Sequence, residues 1–208
     1  MSTVKAVAGS NSTSVRQGGV ESTARLAAVL ARAFEDDPVS VWVFPDDRTR
    51  LRRLERLYRL VLVPQALRVG GCFTTTDESA VALWEPAGTD GPGLVDTVGL
   101  MSQVARVCGR HTPRALGLLS RMRSHRPHRR HAHLALLGTE PDRQGEGLGG
   151  LVLRETLTPL DRAGTPAYLE ATTMRSRALY LRHGFVDTGT LHLPGDGPTM
   201  WQMWRDPA

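Results

Sequence analysis

The chain has 208 residues, 40% of them hydrophobic, and a formal net charge of +5. That length supports one sizeable core and no compositional break divides it, so a single domain over residues 21–208, behind a mobile lead of residues 1–20, is expected. Lys5 is the only lysine among 26 basic side chains, and the arginines are dispersed rather than gathered in a tail, which argues against a nucleic-acid partner.

No run reaches the roughly 18 apolar residues that a membrane span needs, and the lead has no apolar segment of the kind that targets secretion. Cys72 and Cys108 lie in no metal-ligand or CxxC spacing, which fits a reducing compartment. A cytoplasmic protein, as monomer or homodimer and with no membrane partner, is the expectation.

Residues 4–8 could form a short strand within the lead. A helix beginning near Ser22 shows an apolar face of Leu26, Val29, Leu30, Ala33 and Phe34, and Asp37-Pro38 ends it. Pro45-Asp46-Asp47 could cap a second helix with Leu51, Leu54, Leu57, Tyr58, Val61 and Leu62 on one stripe; Arg52, Arg53, Arg56 and Arg59 fall mostly off it, as a solvated face should. Residues 72–76 and 79–84 read as a β-hairpin around Asp77-Glu78, ending at Trp84. A Gly/Pro-rich loop leads to helical patterns at 94–108 and 113–123.

The run at 134–137 has the apolar character of a buried central strand, and it feeds a turn reading Gln144-Gly-Glu-Gly-Leu-Gly-Gly150 before a helix marked by Leu148, Val152, Leu153, Leu157 and Leu160. Glycines at 145, 147, 149 and 150 let the backbone approach an anion, and the N–H groups at the helix start point where a phosphate would sit. Neither a nucleotide-triphosphatase loop nor a dinucleotide fingerprint fits: there is no Gly-Lys-Ser/Thr, and the glycine spacing is Gly145-x-Gly147-x-Gly149-Gly150. Residues 167–170 then read as a strand, 175–183 as a short helix stopped by Gly184, and 200–204 as a last strand. Helices first and alternating elements later make a mixed α/β fold.

Three linked pieces, Leu137-Gly-Thr-x-Pro-x-x-Gln144-Gly-x-Gly-x-Gly149, Leu169-Glu170 and Leu179-Tyr180-Leu-Arg-His-Gly184-Phe185, resemble the GNAT superfamily of N-acetyltransferases. Residues 130–205 are similar in particular to puromycin N-acetyltransferases, through Pro141-Asp-x-Gln-Gly-x-Gly-Leu-Gly149 and Arg162-Ala-Gly-x-Pro-Ala-x-Leu-Glu170. Ala33-Phe34-x-Asp-x-Pro-x-x-x-Trp42-x-x-Pro-Asp46 resembles that group more loosely. The resemblance implies a twisted, mostly antiparallel sheet with a central splayed strand pair, flanked by helices, and acetyl-CoA as co-substrate.

By the same resemblance Leu137 and Thr139 would meet the pantetheine arm, and Gln144, Gly145, Glu146, Gly147, Leu148, Gly149 and Gly150 the pyrophosphate. Tyr180 would protonate the leaving thiolate and Glu170 would serve as general base, with a structural ion pair as its alternative. Ser176 stands where many relatives carry an asparagine against the cofactor. Phe34, Trp42, Trp84, His131 and His133 could wall the acceptor pocket, or be core.

The spacing of His125, His128, His131 and His133 suggests a metal, but Arg126, Arg129 and Arg130 would oppose a cation, so none is expected. The expected activity is direct acetyl transfer to a primary amine of a small molecule, an antibiotic or other natural product, in self-resistance or tailoring. A peptide or protein amine is the alternative acceptor, and a non-catalytic acyl-CoA sensor the alternative role.

Overall fold

The computed structural model describes residues 13–88 and 94–208; the strand expected at residues 4–8 lies outside them. Among these residues seven strands, β1 (Val15–Gln17), β2 (Cys72–Thr75), β3 (Ala80–Glu85), β4 (Ala132–Thr139), β5 (Ala167–Ala171), β6 (Val186–His192) and β7 (Thr199–Arg205), form one sheet in the order β1-β2-β3-β4-β5-β7-β6. All neighbours are antiparallel except β4 and β5. Among the described residues eight α-helices flank it: α1 (Thr23–Ala33), α2 (Pro38–Val43), α3 (Asp47–Leu57), α4 (Val63–Arg68), α5 (Leu94–Cys108), α6 (Thr112–Ser124), α7 (Leu148–Arg162) and α8 (Met174–Arg182). No helix among the described residues is long and apolar enough to cross a membrane.

Side-chain alternation along the strands separates two cores. On β3, Ala80, Ala82 and Trp84 pack with Val152, Leu153 and Leu157 of α7 and with Tyr180 of α8. Val81 and Leu83 face the other way, onto Leu26, Val29 and Leu30 of α1 and the helices beyond it. The sheet therefore lies between α7 and α8 on one face and the N-terminal helices on the other.

Several elements depart from the sequence reading. Val15–Gln17, within the expected lead, pairs with β2 as an edge strand. Asp37-Pro38 ends α1 and also starts α2, because the Asp37 carboxylate accepts the Val39 N–H at 2.9 Å while Pro38, which has no N–H to satisfy, occupies the first turn. The second long helix is interrupted by a π turn, Tyr58–Leu62, closed by the Val63 N–H on the Tyr58 carbonyl. Pro64 follows, and its ring cannot sit over the carbonyl four residues earlier, so the widened turn accommodates it.

The central pair opens for a local reason. β4 and β5 are in register only from Ala132↔Ala167 to Leu134↔Leu169. On the other side of β4, Leu136 opposes Leu83 and Leu134 opposes Trp84, so Ala135 is an extra residue. A bulge bends and overtwists its strand, and here it turns β4 away from β5 after Leu134. From Ala135 to Leu137 the side chains pass from buried to half-buried. Gly138 keeps α1 tight on the departing strand: a Cβ there would lie 3.0 Å from the Ala33 Cβ and 3.3 Å from the Phe34 ring.

Candidate active site

The splayed end of β4 leads into the glycine turn. Gly145 and Gly147 have φ of +95° and +82°, the left-handed region, and no atom lies within 4 Å of where their Cβ would be, so the turn exposes bare backbone. Gly147 caps α7, whose first i→i−4 bond is the Leu151 N–H to the Gly147 carbonyl at 2.9 Å. The N–H groups of Leu148, Gly149 and Gly150 precede that bond and, with the helix dipole, form an anion-binding terminus. Gly149 and Gly150 serve close approach: their Cβ positions fall 3.4 Å from Thr139 Oγ1 and from the His183 ring.

The turn is braced from three sides. Gln144 donates to the Thr139 carbonyl at 3.3 Å and accepts from Arg175 Nη1 of α8 at 2.7 Å. Arg143 bonds Glu146 at 2.9 Å and, across to the β2–β3 turn, Asp77 at 2.9 Å. Glu140 is held by Arg32 of α1 at 2.9 Å. Glu146, expected at the cofactor, is thus occupied by Arg143. Ser176 is occupied too: it forms a capping box with Thr173 at the start of α8, accepting the Thr173 N–H at 3.2 Å, which accounts locally for a short hydroxyl at that position.

Tyr180 lies on the inner face of α8, 7% exposed, its ring edge-on to Phe185 at 5.8 Å. Burial, then the field of Asp37, push its phenol well above the usual range, so it keeps its proton. Its hydroxyl meets no hydrogen-bond partner among the described residues, and the residue lines the cavity described below. Asp37 lines the same cavity. Its carboxyl is raised by burial, against bonds from the Thr172 hydroxyl and the Val39 N–H. The sequence reading saw Asp37 only as a helix stop; the Asp-Pro pair was the available signal, but nothing local ties it to Tyr180.

Glu170 is the penultimate residue of β5, its side chain 3% exposed, and His133 Nε2 contacts its Oε2 at 2.7 Å. His133 reaches Glu85 of β3 through Nδ1 at 3.4 Å and touches Arg126, which pairs with Glu85 at 2.5 Å. Burial opposes charge on the His133 ring, but the bonds to Glu170 and Glu85 outweigh it and raise its pKa. Glu85 answers in kind: burial would raise it, yet His133 and Arg126 hold it at about 2. Tyr168, which also hydrogen-bonds Glu170, accepts from Gln202 Nε2 at 2.9 Å. The parallel register puts His133 opposite Tyr168, on the face away from α7, so the sheet itself assembles this group. Glu85, Arg126, Tyr168 and Gln202 carried no signal in the sequence, since each comes from a different segment.

The remaining acceptor-wall candidates divide. Phe34 lines the cavity at the end of α1, edge-on to Tyr58 at 6.4 Å. His131 also borders it, but its Nδ1 contacts the Arg129 carbonyl at 2.6 Å and its ring packs on Tyr168 and Trp204. Trp84 touches the cavity but belongs to the α7-side core, where its Nε1 is buried without a partner among the described residues. Trp42 does not line it: the indole donates to Asp196 at 3.2 Å and lies under Arg114, fastening α2 to the β6–β7 connection.

One cavity of about 2100 Å³ runs from the glycine turn and α8, past the splayed strands, to α4, α5 and α6. Ordinary small-molecule pockets hold about 300–1,000 Å³, so this one has room for two ligands meeting near Tyr180. Among the described residues no group of three or more His, Cys, Asp or Glu could hold a metal ion.

No family model matches the sequence. Solved structures do match it. A Corynebacterium glutamicum protein described as histone acetyltransferase HPA2 and related acetyltransferase aligns with TM-score 0.72 at 23% identity, over 94% of this chain and 97% of its own. The polyamine N-acetyltransferase of Drosophila melanogaster, which forms N-acetylagmatine, aligns at 0.59 and 19%, over 93% and 99%. Arylalkylamine N-acetyltransferase 2 of Aedes aegypti aligns at 0.59 and 12%, over 95% and 100%. At these identities the likeness is one of fold: the chain has the mixed α/β architecture of GNAT acetyltransferases.

Proposed function

We propose that this chain is an acetyl-CoA-dependent N-acetyltransferase that moves the acetyl group directly to a primary amine of a small molecule. The observation that carries the reading is the continuity of one cavity from an unpaired strand edge and an anion-binding helix terminus to a buried, unpartnered phenol. Acetyl-CoA supplies an activated thioester at its reactive end. Backbone amides of residues 145–150 hold its pyrophosphate, and the edge of β4 at Leu137 and Thr139 pairs with its arm. Gln144 braces the turn, while Glu146 and Ser176 act through the loop and the helix cap.

In the transfer, Glu170 takes a proton from the acceptor ammonium, directly or through water, to give the attacking amine. An N–H on the β4 edge steadies the oxyanion. Tyr180 donates its proton to the departing thiolate, for which a neutral phenol is suited, and the proton the nitrogen sheds as the tetrahedral adduct collapses to the amide restores the phenol. Neither cysteine supplies a covalent route: Cys72 and Cys108 are buried, and burial pushes both thiols up to about 11.

The finer reading is that the acceptor is an aminoacyl-type antibiotic or related natural product, as the motif resemblance to puromycin N-acetyltransferases suggests, and that the enzyme works in the cytoplasm in self-protection or tailoring. Purified protein incubated with acetyl-CoA and a panel of aminonucleosides, aryl amines, polyamines and short peptides tests both levels. Thiol release with a one-acetyl mass gain on a small amine supports the proposal. Acetylation confined to peptides overturns the acceptor assignment, and tight acetyl-CoA binding with no turnover overturns the enzyme.

A further inference from the structure

We infer that the acceptor end of the cavity is built for an amine with an apolar body and an acidic group at its far end, and that it discriminates against polycations. This rests on the transferase reading above and names the acceptor class for it. The walls at this end come from the N-terminal helices and are apolar: Leu62 at the end of the π turn, Leu100 and Met101 on α5, and Leu116, Leu119 and Met122 on α6. Met101 and Leu119 are 44% and 38% exposed, so a bound apolar body would bury surface that is now wet.

The free charges on the rim are mostly of one sign. Arg68 ends α4, Arg123 lies in the last turn of α6, and Arg130 precedes β4; all three line the cavity, and among the described residues none of them has a carboxylate partner. The acids at this end are already engaged: Glu85 by Arg126 and His133, Glu170 by His133, and Asp37 by the Thr172 hydroxyl and the Val39 N–H. Asp36 points to solvent, 3.9 Å from Arg50. Among the described residues a ligand with several ammonium groups finds only the solvent-facing Asp36, loosely paired with Arg50, and meets three guanidiniums that repel it. One with a carboxylate or phosphate finds the reverse. Arginines near helix C-termini also complement the dipole, so the test must read a preference among ligands rather than stability.

Three amines of graded charge make that test: para-carboxyphenethylamine, phenethylamine and spermidine, measured by thiol release with acetyl-CoA and by calorimetric binding in the presence of CoA. The expected order is acid over neutral over spermidine, with about a tenfold preference in kcat/KM for the acid that shrinks as salt is added. In the double variant Arg123→Gln/Arg130→Gln the acid and neutral amines should converge to within about threefold while phenethylamine turnover is retained. Spermidine as the preferred amine, or an acid preference unchanged in the double variant, overturns the inference and leaves the transferase reading standing. Absence of thiol release with every amine overturns the transferase reading instead, and the binding order then decides the pocket by the same criteria.

Discussion

Replacing Tyr180 by Phe separates chemistry from packing. The ring is 7% exposed and seated on Phe185, and the hydroxyl has no protein partner among the described residues to leave stranded. Phe should keep the same contacts. Loss of a hydroxyl that bonds nothing in the protein should cost no more than about 0.5 kcal/mol, which for a chain of this length moves Tm by about 2 °C or less. If the phenol protonates the departing thiolate, kcat should fall by about 10²- to 10⁴-fold, or roughly 3–5 kcal/mol in the barrier, with the Kd for acetyl-CoA unchanged. The assay is steady-state thiol release at saturating amine, beside a thermal melt and calorimetric binding of acetyl-CoA. A kcat within about threefold of the parent would refute the acid role, since one lost proton donor is expected to cost far more. The phenol's raised pKa adds a constraint: its acid form persists through the alkaline range, so loss of activity near pH 9 in the parent must come from another group.

Glu170→Gln should lower the rate about 10- to 100-fold near neutral pH, and the deficit should shrink as pH rises and the amine deprotonates in solution; a deficit independent of pH in the rate profile would show a structural role only. His133 has a raised pKa when folded, so its pairing contributes stability in full below the unfolded imidazole value of about 6.5 and loses it as pH rises through the folded value. Melts should therefore show Tm declining above neutrality, and His133→Asn should be less stable and lack that decline; a decline of equal size in the variant would exclude His133 as its source. Gly147→Ala meets no neighbour but must hold φ at +82°, a strain of about 1–2 kcal/mol, so Tm should fall by a few degrees and the Kd for acetyl-CoA should weaken about tenfold or more. Unchanged affinity by calorimetry would remove the turn from the pyrophosphate site.

The glycine turn proposed to hold the donor was legible because it is written in backbone. A glycine turn between a strand and a helix needs particular residues at particular spacings, and Gln144, Tyr180 and Gly184 lie within a few elements of it. Edge strands were harder. Of the residues in β6 only Leu191 is buried, so no alternation marks the strand, and β1 is three residues long. The β4–β5 opening was expected from the resemblance, but its cause, the extra residue at Ala135 opposite β3, depends on a register that one sequence does not display. The proposed acceptor end is assembled from side chains of α4, α5, α6 and the ends of β3, β4 and β5, which are scattered along the chain, so no contiguous motif announces it.

His133 shows what such assembly does to a residue's meaning. In the sequence it was a possible pocket wall; in the fold it joins Glu85 and Glu170 across three strands. The ion pair and the proposed general-base role of Glu170 are then compatible. His133 engages Oε2, which fixes the carboxylate's plane and leaves Oε1 outside that bond. A base whose orientation is set by a buried histidine would be pre-organised for proton transfer, and removing the histidine should disturb that orientation. His133→Gln should therefore lower kcat more than it raises KM for the amine. A loss confined to KM would assign His133 to acceptor binding instead.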